Sequence, residues 1–337
     1  MRILCLRAPR ISSGLALFCV GVILFFPWGG CRDTWNRWTR GVQPGVWLDS
    51  DRRIELEGML QDEIRVMLED LAAEVRIEPE PARIDPATRG LIPERNGREL
   101  DVERTLALVQ EAPRGTRVAP QFRSVPPAVT STDFPEHPVY AGNPNRRAMA
   151  LVINIAWGED ELPLLAEVLA RHGARATFCP VGVWLEGSLA NRETLAALVA
   201  AGHDVGNHGW RNRPMDRLDA AELAEDLRRA SSILEEVAGI RSPYFTPPYG
   251  AISSEMLEVS AREGYRTVLW SLDTIDWKLE GVPRIVSRLL SRAHNGAIVL
   301  LHPTPQTAPA LDTAIPALLA DGYRLVTLSE LLAPDFP

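Results

Sequence analysis

Seven short apolar runs that alternate with helical stretches constrain this chain more than any other feature. They lie at Ala150–Ile155, Ala176–Val181, Asp204–Asn207, Tyr244–Thr246, Thr267–Leu272, Ala297–Leu301 and Arg324–Leu328. Gly173, Gly202, Gly239, Gly264 and Gly322 stand just past the intervening helices, where a left-handed residue ends a helix at least cost. Asp219 with Glu222 has the spacing of a capping box, and Pro283 suits a first helical turn. Strands that are apolar throughout and separated by helices must be covered on both faces, which implies an α/β fold with a parallel sheet. The simplest closure is a distorted (β/α)7 barrel, whose chemistry belongs at the C-terminal strand ends. Those ends carry Ala156-Trp157-Gly158, Asn207-His208, Thr246-Pro247-Pro248-Tyr249-Gly250, Asp273 with Asp276-Trp277, and His302-Pro303. Packing alone does not readily place polar and aromatic residues at five of seven strand ends.

The barrel pattern occupies residues 148–337, after a Pro/Gly/Asn-rich linker at 135–147. Residues 45–134 read as a small α+β domain. Ile54, Leu56, Leu60, Ile64, Met67 and Leu71 have near-helical spacing over 49–75; a second helix is predicted from about Val102 to Glu111, with short strands and an Asn96-Gly97 turn around it. Residues 1–31 begin with Arg2, Arg7 and Arg10 and continue as "ISSGLALFCVGVILFFPWGG", uncharged until Arg32. This pattern suits a signal peptide or a signal anchor, which would export the rest of the chain and make the membrane a partner. It has no small-x-small cleavage site, and "WGGC" at Cys31 has the small residues of a lipidation signal without its usual Leu. Cys5, Cys19, Cys31 and Cys179 have neither metal-ligand spacing nor a disulfide framework. A net charge of -8 argues against a nucleic-acid surface.

The phrases "HGARATFCPVG", "AGHDVGNH", "PPYGAIS", "LWSLDTIDW", "IVLLH" and "GYRLVTLSELL" resemble the polysaccharide deacetylases of the NodB-homology type, carbohydrate esterase family 4, over Met149 to Leu332. The run "IDP", "LIP", "NGRELDVERTL" and "VPPAVT" resembles a peptidoglycan-binding domain of exported cell-wall proteins, with a plain spacer as the alternative. The deacetylase resemblance implies hydrolysis of the N-acetyl group of chitin-like glycan or peptidoglycan, using a divalent metal, commonly zinc, on one Asp and two His. A metal polarises the amide carbonyl, a carboxylate takes the proton of the attacking water, and a histidine protonates the leaving amine.

The family's "TFDDG" is here "NIAWG", so Ala156 stands at the base position and Trp157 at the metal aspartate. His208 matches the first histidine ligand, while Asn212 stands four residues on, where the second is expected, followed by Arg213. Thr246 replaces the arginine that would pair with the base. Asp273 matches the aspartate that positions the acid, and His302 matches the acid itself. The losses form a physical group, since an arginine without its carboxylate is an uncompensated cation in a cleft. His208 alone leaves a catalytic metal two protein ligands short. Glu159, Asp160 or Glu161 would have to rebuild the site, with Glu161 beside His208; the alternative is that they begin a helix, where negative charge suits the dipole. His203 reads as a packed residue.

"NIAWGEDELP" and "LLHPTPQT" resemble a subgroup from spore-forming bacteria, which points to cell-wall or spore-cortex work. Two functions follow. One is a deacetylase with an altered site, in which His302 and Asp273 remain. The other is a groove that holds glycan, with Trp157, Trp210, Tyr249 and Trp277 stacking on sugar rings, or a scaffold in wall assembly. Ordinary core packing is the alternative role for those aromatics, Trp277 above all.

Overall fold

The structure is a computed structural model that describes Arg37 and residues 40–335. The expected signal segment, and with it Cys5, Cys19 and Cys31, lies outside the described residues. No helix among the described residues is long and apolar enough to cross a membrane.

The chain divides into two compact units, Met1–Glu74 with Leu100–Gln121, and Val75–Glu99 with Phe122–Pro337. Residues 45–134 are therefore shared between the two. In the first unit, strand Trp47–Asp49 pairs antiparallel with Arg53–Glu55 and parallel with Arg117–Val118. The helix expected over 49–75 spans only Gln61–Val75. Ile54 and Leu56 are two apart, which fits a strand as well as a helix, and Gly58 at φ 73° turns the chain before the helix begins. The helix Val102–Glu111 forms as predicted, capped by Asp101, whose side chain accepts from Arg104 N at 2.9 Å.

The second unit holds the parallel sheet. Its strands are β1 (Ala148–Ile155), β2 (Ala176–Pro180), β3 (Asp204–Val205), β4 (Tyr244–Phe245), β5 (Arg266–Thr267), β6 (Leu272–Asp273), β7 (Ala297–Leu301) and β8 (Arg324–Val326). Its helices are α1 (Leu162–Arg171), α2 (Gly182–Glu186), α3 (Leu189–Ala200), α4 (Ala220–Ala238), α5 (Ser254–Arg262), α6 (Val282–Ser291), α7 (Thr307–Ala320) and α8 (Leu328–Leu332). Ladders run β3-β2-β1-β7-β6, with β8 on the start of β1; β4 pairs β5, and the Asn207–Phe245 bridge links that pair to the end of β3. Among the described residues no ladder joins β5 to β6, so the sheet keeps an open seam there.

The single strand expected at Thr267–Leu272 is thus split. Leu269 N bonds Val139 O at 2.8 Å and Ser271 N bonds Ile298 O at 3.1 Å, which carries the intervening chain off the β4 edge. The capping box at Asp219 and the first-turn Pro283 are present, and all five expected glycines have positive φ.

β1 is buried along its whole length. Met149, Leu151, Ile153 and Ile155 pack outward with Leu165 and Leu169 of α1 and Leu311 and Ile315 of α7. Ala148, Ala150 and Val152 face the smaller inner cluster with Cys179, Ile298 and Val326. Each fully buried large aliphatic contributes about 1.5–3 kcal/mol, so β1 and its neighbours β7 and β2 form the stable floor on which the strand ends stand.

Candidate functional site

A cavity of about 490 Å³ opens at the C-terminal ends of the parallel strands. β1 contributes Asn154, Ala156 and Trp157, and the loop after β3 contributes His208 and Asn212. Tyr249, Trp270, Asp273 and Trp277 form further walls, and Leu300 and His302 come from the end of β7.

His208 is buried, and its Nδ1–H donates to the Thr246 carbonyl at 2.6 Å, an acceptor that fixes this tautomer and leaves Nε2 as a bare lone pair. The Thr246 hydroxyl donates to Asn154 Oδ1 at 3.1 Å. This small hydroxyl therefore ties β1 to the His208 loop. Asn207 fastens the same loop, accepting from Gly209 N at 2.7 Å and donating to Leu227 O and to the Tyr265 hydroxyl.

Burial pushes the His208 imidazole down to about 4, opposed by its bond to the Thr246 backbone and reinforced by the nearby His302. Between pH 6.5 and 4 the unfolded chain binds a proton there that the folded chain refuses. Stability is thus full above pH 6.5, falls as pH drops toward 4, and levels below it, a loss on the order of 3 kcal/mol. Urea midpoints at pH 7 and pH 4.5 check this: His208→Asn should remove most of the decline, and parallel declines in both proteins would refute the assignment.

Across the cavity, Asp276 is fully buried and holds His302 twice. Its Oδ1 accepts from His302 Nδ1 at 2.8 Å, while Oδ2 accepts from His302 N at 2.7 Å and from the Thr307 hydroxyl at 2.9 Å. The partner of His302 is therefore Asp276, which corrects the expectation of Asp273. Asp273 instead accepts from Ile275 N at 2.8 Å and shapes the turn. That turn is strained: Ile275 has φ 56° and Leu279 φ 54°, uncommon for any residue with a Cβ and an outlier for a β-branched one. This conformation turns Asp276 inward beneath His302, where the bonds made by its carboxylate offset the strain, and leaves Trp277 outside, 49% exposed. Trp277 is not core packing.

Trp157 lies parallel to the His302 ring, 7° between planes and 6.0 Å between centroids. Tyr249, at φ 62° and 67% exposed, leans across to donate to Asn212 O at 3.4 Å. Trp210 does not join them. It is buried in the outer core, with Gly182 against one part of the ring and the Arg229 guanidinium 3.8 Å over its face, because Asp226 of α4 draws Trp210 N to 2.5 Å. Trp270 and Asn154 line the cavity and were not singled out from the sequence; both lie inside predicted strands, where nothing in the pattern separates a wall residue from a packed one.

The residues present do not fit the family's metal. His208 supplies one nitrogen, Trp157 and Ala156 supply no donor, and Glu161 does not line the cavity. Glu161 closes a 3-10 turn (Glu159–Glu161) in which its N–H bonds Gly158 O at 3.1 Å, so it begins α1 instead of turning to His208. Among the described residues no three His, Cys, Asp or Glu side chains gather as a metal site. His203 packs edge-on against Phe178 and accepts from Ala176 N at 3.2 Å, as expected of a core residue.

The polysaccharide deacetylase family model matches residues 141–268. YlxY of Bacillus subtilis is 32% identical over 77% of this chain and 81% of its own length. The peptidoglycan-N-acetylmuramic acid deacetylase PdaC of Bacillus subtilis is 30% identical over 56% of this chain and 39% of its own. Among solved structures, a CE4-family pseudoenzyme from Bacillus anthracis is 31% identical with a TM-score of 0.69, covering 81% of this chain and 96% of its own. A mutant of that pseudoenzyme with restored enzymatic activity superposes equally well, with a TM-score of 0.69 at 30% identity, over 81% of this chain and 99% of its own. The likeness to the pseudoenzyme thus reaches beyond the share of the chain that aligns with PdaC. On its fold, its strand-end residues and these relatives, the chain belongs to the polysaccharide deacetylase family.

Proposed function

We propose that this protein holds N-acetylated cell-wall glycan, peptidoglycan or a chitin-like chain, in the strand-end cavity without deacetylating it at enzyme rates. The observation that carries this reading is the pairing of a kept wall with a lost centre. His302, His208 and the aromatic rim line the cavity with Asp276 behind His302, whereas by motif resemblance Ala156, Trp157, Asn212 and Thr246 stand where the family carries base, metal aspartate, second histidine and arginine. A general acid with no metal and no base gives little amide hydrolysis. The similarity to a pseudoenzyme supports the same reading. The arginine-led apolar segment at 1–31 supports export and membrane attachment, which would place the cavity at the wall; the "AWG" resemblance points to wall or spore-cortex assembly. Residual deacetylase activity is the second reading, favoured by the intact His302–Asp276 pair.

The test combines two measurements on the same preparation. Chitooligosaccharide and peptidoglycan fragments should bind by calorimetry, while acetate release stays at background with or without a chelator. Chelator-sensitive acetate release at ordinary enzyme rates would overturn the proposal. Trp277→Ala and Tyr249→Ala should each weaken glycan binding by on the order of tenfold, the ~1.4 kcal/mol of one aromatic contact. Trp210→Phe should leave the affinity unchanged, since that ring faces the core.

A further inference from the structure

A second cavity, of about 360 Å³, lies in the same unit at the junction of the Asn96-Gly97 turn, the strand Phe122–Val125 and the residues just before β1. Five arginines line it, Arg95, Arg98, Arg123, Arg146 and Arg147, against one carboxylate, Asp335. Such a concentration is unexpected in a chain of net charge -8.

The charges do not cancel within the cavity. Arg95 is paired with Glu80 at 2.6 Å and Arg123 with Glu99 at 2.8 Å. Arg146 is buried, donates to the Leu331 and Pro334 carbonyls at 2.8 and 2.9 Å, and feels the charge of Asp335. That leaves Arg98 and Arg147. Arg98 lies 4.3 Å over the Phe122 ring, and Arg147 lies 5.3 Å over Tyr323 and donates to the Asp321 carbonyl. Neither forms an ion pair with a carboxylate among the described residues. Both are exposed residues, and each guanidinium lies against an aromatic face, which limits its freedom before its planar fork engages an oxyanion.

The site is built rather than incidental. Gly97 brings its backbone so close to Ile77 O that a Cβ would lie 2.5 Å away, so the turn fits against the neighbouring chain only as glycine. One carboxylate, that of Asp335, is already held at this cavity: its Oδ1 takes bonds from the Ser124 hydroxyl at 2.5 Å and Asn96 Nδ2 at 3.1 Å. The Nε–H of Arg95 is buried and makes no hydrogen bond.

We propose that this cavity is a binding site for a polyvalent oxyanion, carboxylate or phosphate, distinct from the strand-end cavity. Arg98 and Arg147 supply the external contacts, and Asp335 competes for the inner ones. The chemistry is shared by the carboxylates of a peptide and the phosphates of a polyanionic polymer, and two probes separate these sources.

The experiment is calorimetric titration of the full chain at low ionic strength with tripolyphosphate and, separately, with citrate. Saturable binding of either is expected, weakening steeply as salt rises. Arg98→Ala with Arg147→Ala should lower the affinity at least tenfold, Arg98→Lys with Arg147→Lys should recover part of it, and Asp335→Asn should raise it. Preference for tripolyphosphate assigns the phosphate source and preference for citrate the carboxylate source. Absence of binding by both probes in the folded chain would overturn the proposal, as would unchanged affinity in the folded double alanine variant.

Discussion

Replacing Ala156 and Trp157 by Asp, Asn212 by His and Thr246 by Arg together is expected to produce a zinc-dependent deacetylase. The positions differ in how much frame they already have. His208 is oriented by a backbone carbonyl, Thr246 O, which a side-chain change at 246 leaves in place. Its Nε2 is thus already aimed and unprotonated, the condition a metal ligand needs. Trp157 and Asn212 line the same cavity and are exposed, so donors introduced there displace no core. His302, which the resemblance makes the acid, is left unchanged, because the Asp276 carboxylate beneath it already makes three bonds. Restoring base and metal together should raise acetate release by on the order of 10⁴-fold over the unmodified chain, with full loss on adding a chelator. The order of introduction also matters. Thr246 is buried, so Thr246→Arg alone places a cation where Ala156 offers no partner, at a cost of about 3 kcal/mol or more; Ala156→Asp should recover most of it. Denaturant midpoints of the singles and the double measure that coupling. A folded, zinc-loaded quadruple variant with no acetate release would show that the loss lies deeper than these four side chains.

Most of the fold was legible because its information is periodic. β1, β2 and β7 are apolar without interruption, and their helices end on glycines whose positive φ has one physical reading. The split of 266–273 into β5 and β6 was not legible, since Val268, Leu269 and Trp270 are apolar whether they pair in a ladder or cross between strands. In the N-terminal part, Ile54 and Leu56 satisfied two periods at once, and strand pairing decided between them. That Ala156, Trp157, His208 and Asn212 share one cavity was legible from motif register, because the end of β1 and the loop after β3 both open at the C-terminal strand ends.

The pairing inside "LDTIDW" was not. Asp273 and Asp276 are three residues apart in one short stretch, so sequence cannot say which carboxylate turns inward. The left-handed Ile275 decides it, by a backbone conformation that no residue preference would assign to isoleucine. Trp210 shows the same limit. It lies two residues from His208, yet a buried carboxylate on α4 turns its backbone N–H, and with it the ring, away from the cavity.

Gly158→Ala is expected to damage the site through the backbone alone. Gly158 has φ 82°, and a Cβ built on it would lie 2.0 Å from the carbonyl oxygen of Pro303. Two costs combine. The left-handed conformation costs a residue with a side chain about 1–2 kcal/mol, and the overlap with a backbone atom forces the turn after β1 or the turn after β7 to move, about 1–3 kcal/mol more. Gly173→Ala separates them, because Gly173 has φ 62° with nothing within 4 Å of its Cβ and should lose only the conformational part. Chemical denaturation of both variants reads the difference; equal losses would mean that the Pro303 turn yields without cost. The consequence for the site is specific. Gly158 follows Trp157 and Pro303 follows His302, so the contact that excludes a methyl group lies beside the stack of Trp157 on His302. Opening it should weaken glycan binding as well as stability, which ties the absence of a side chain at 158 to the shape of the cavity rather than to the turn alone.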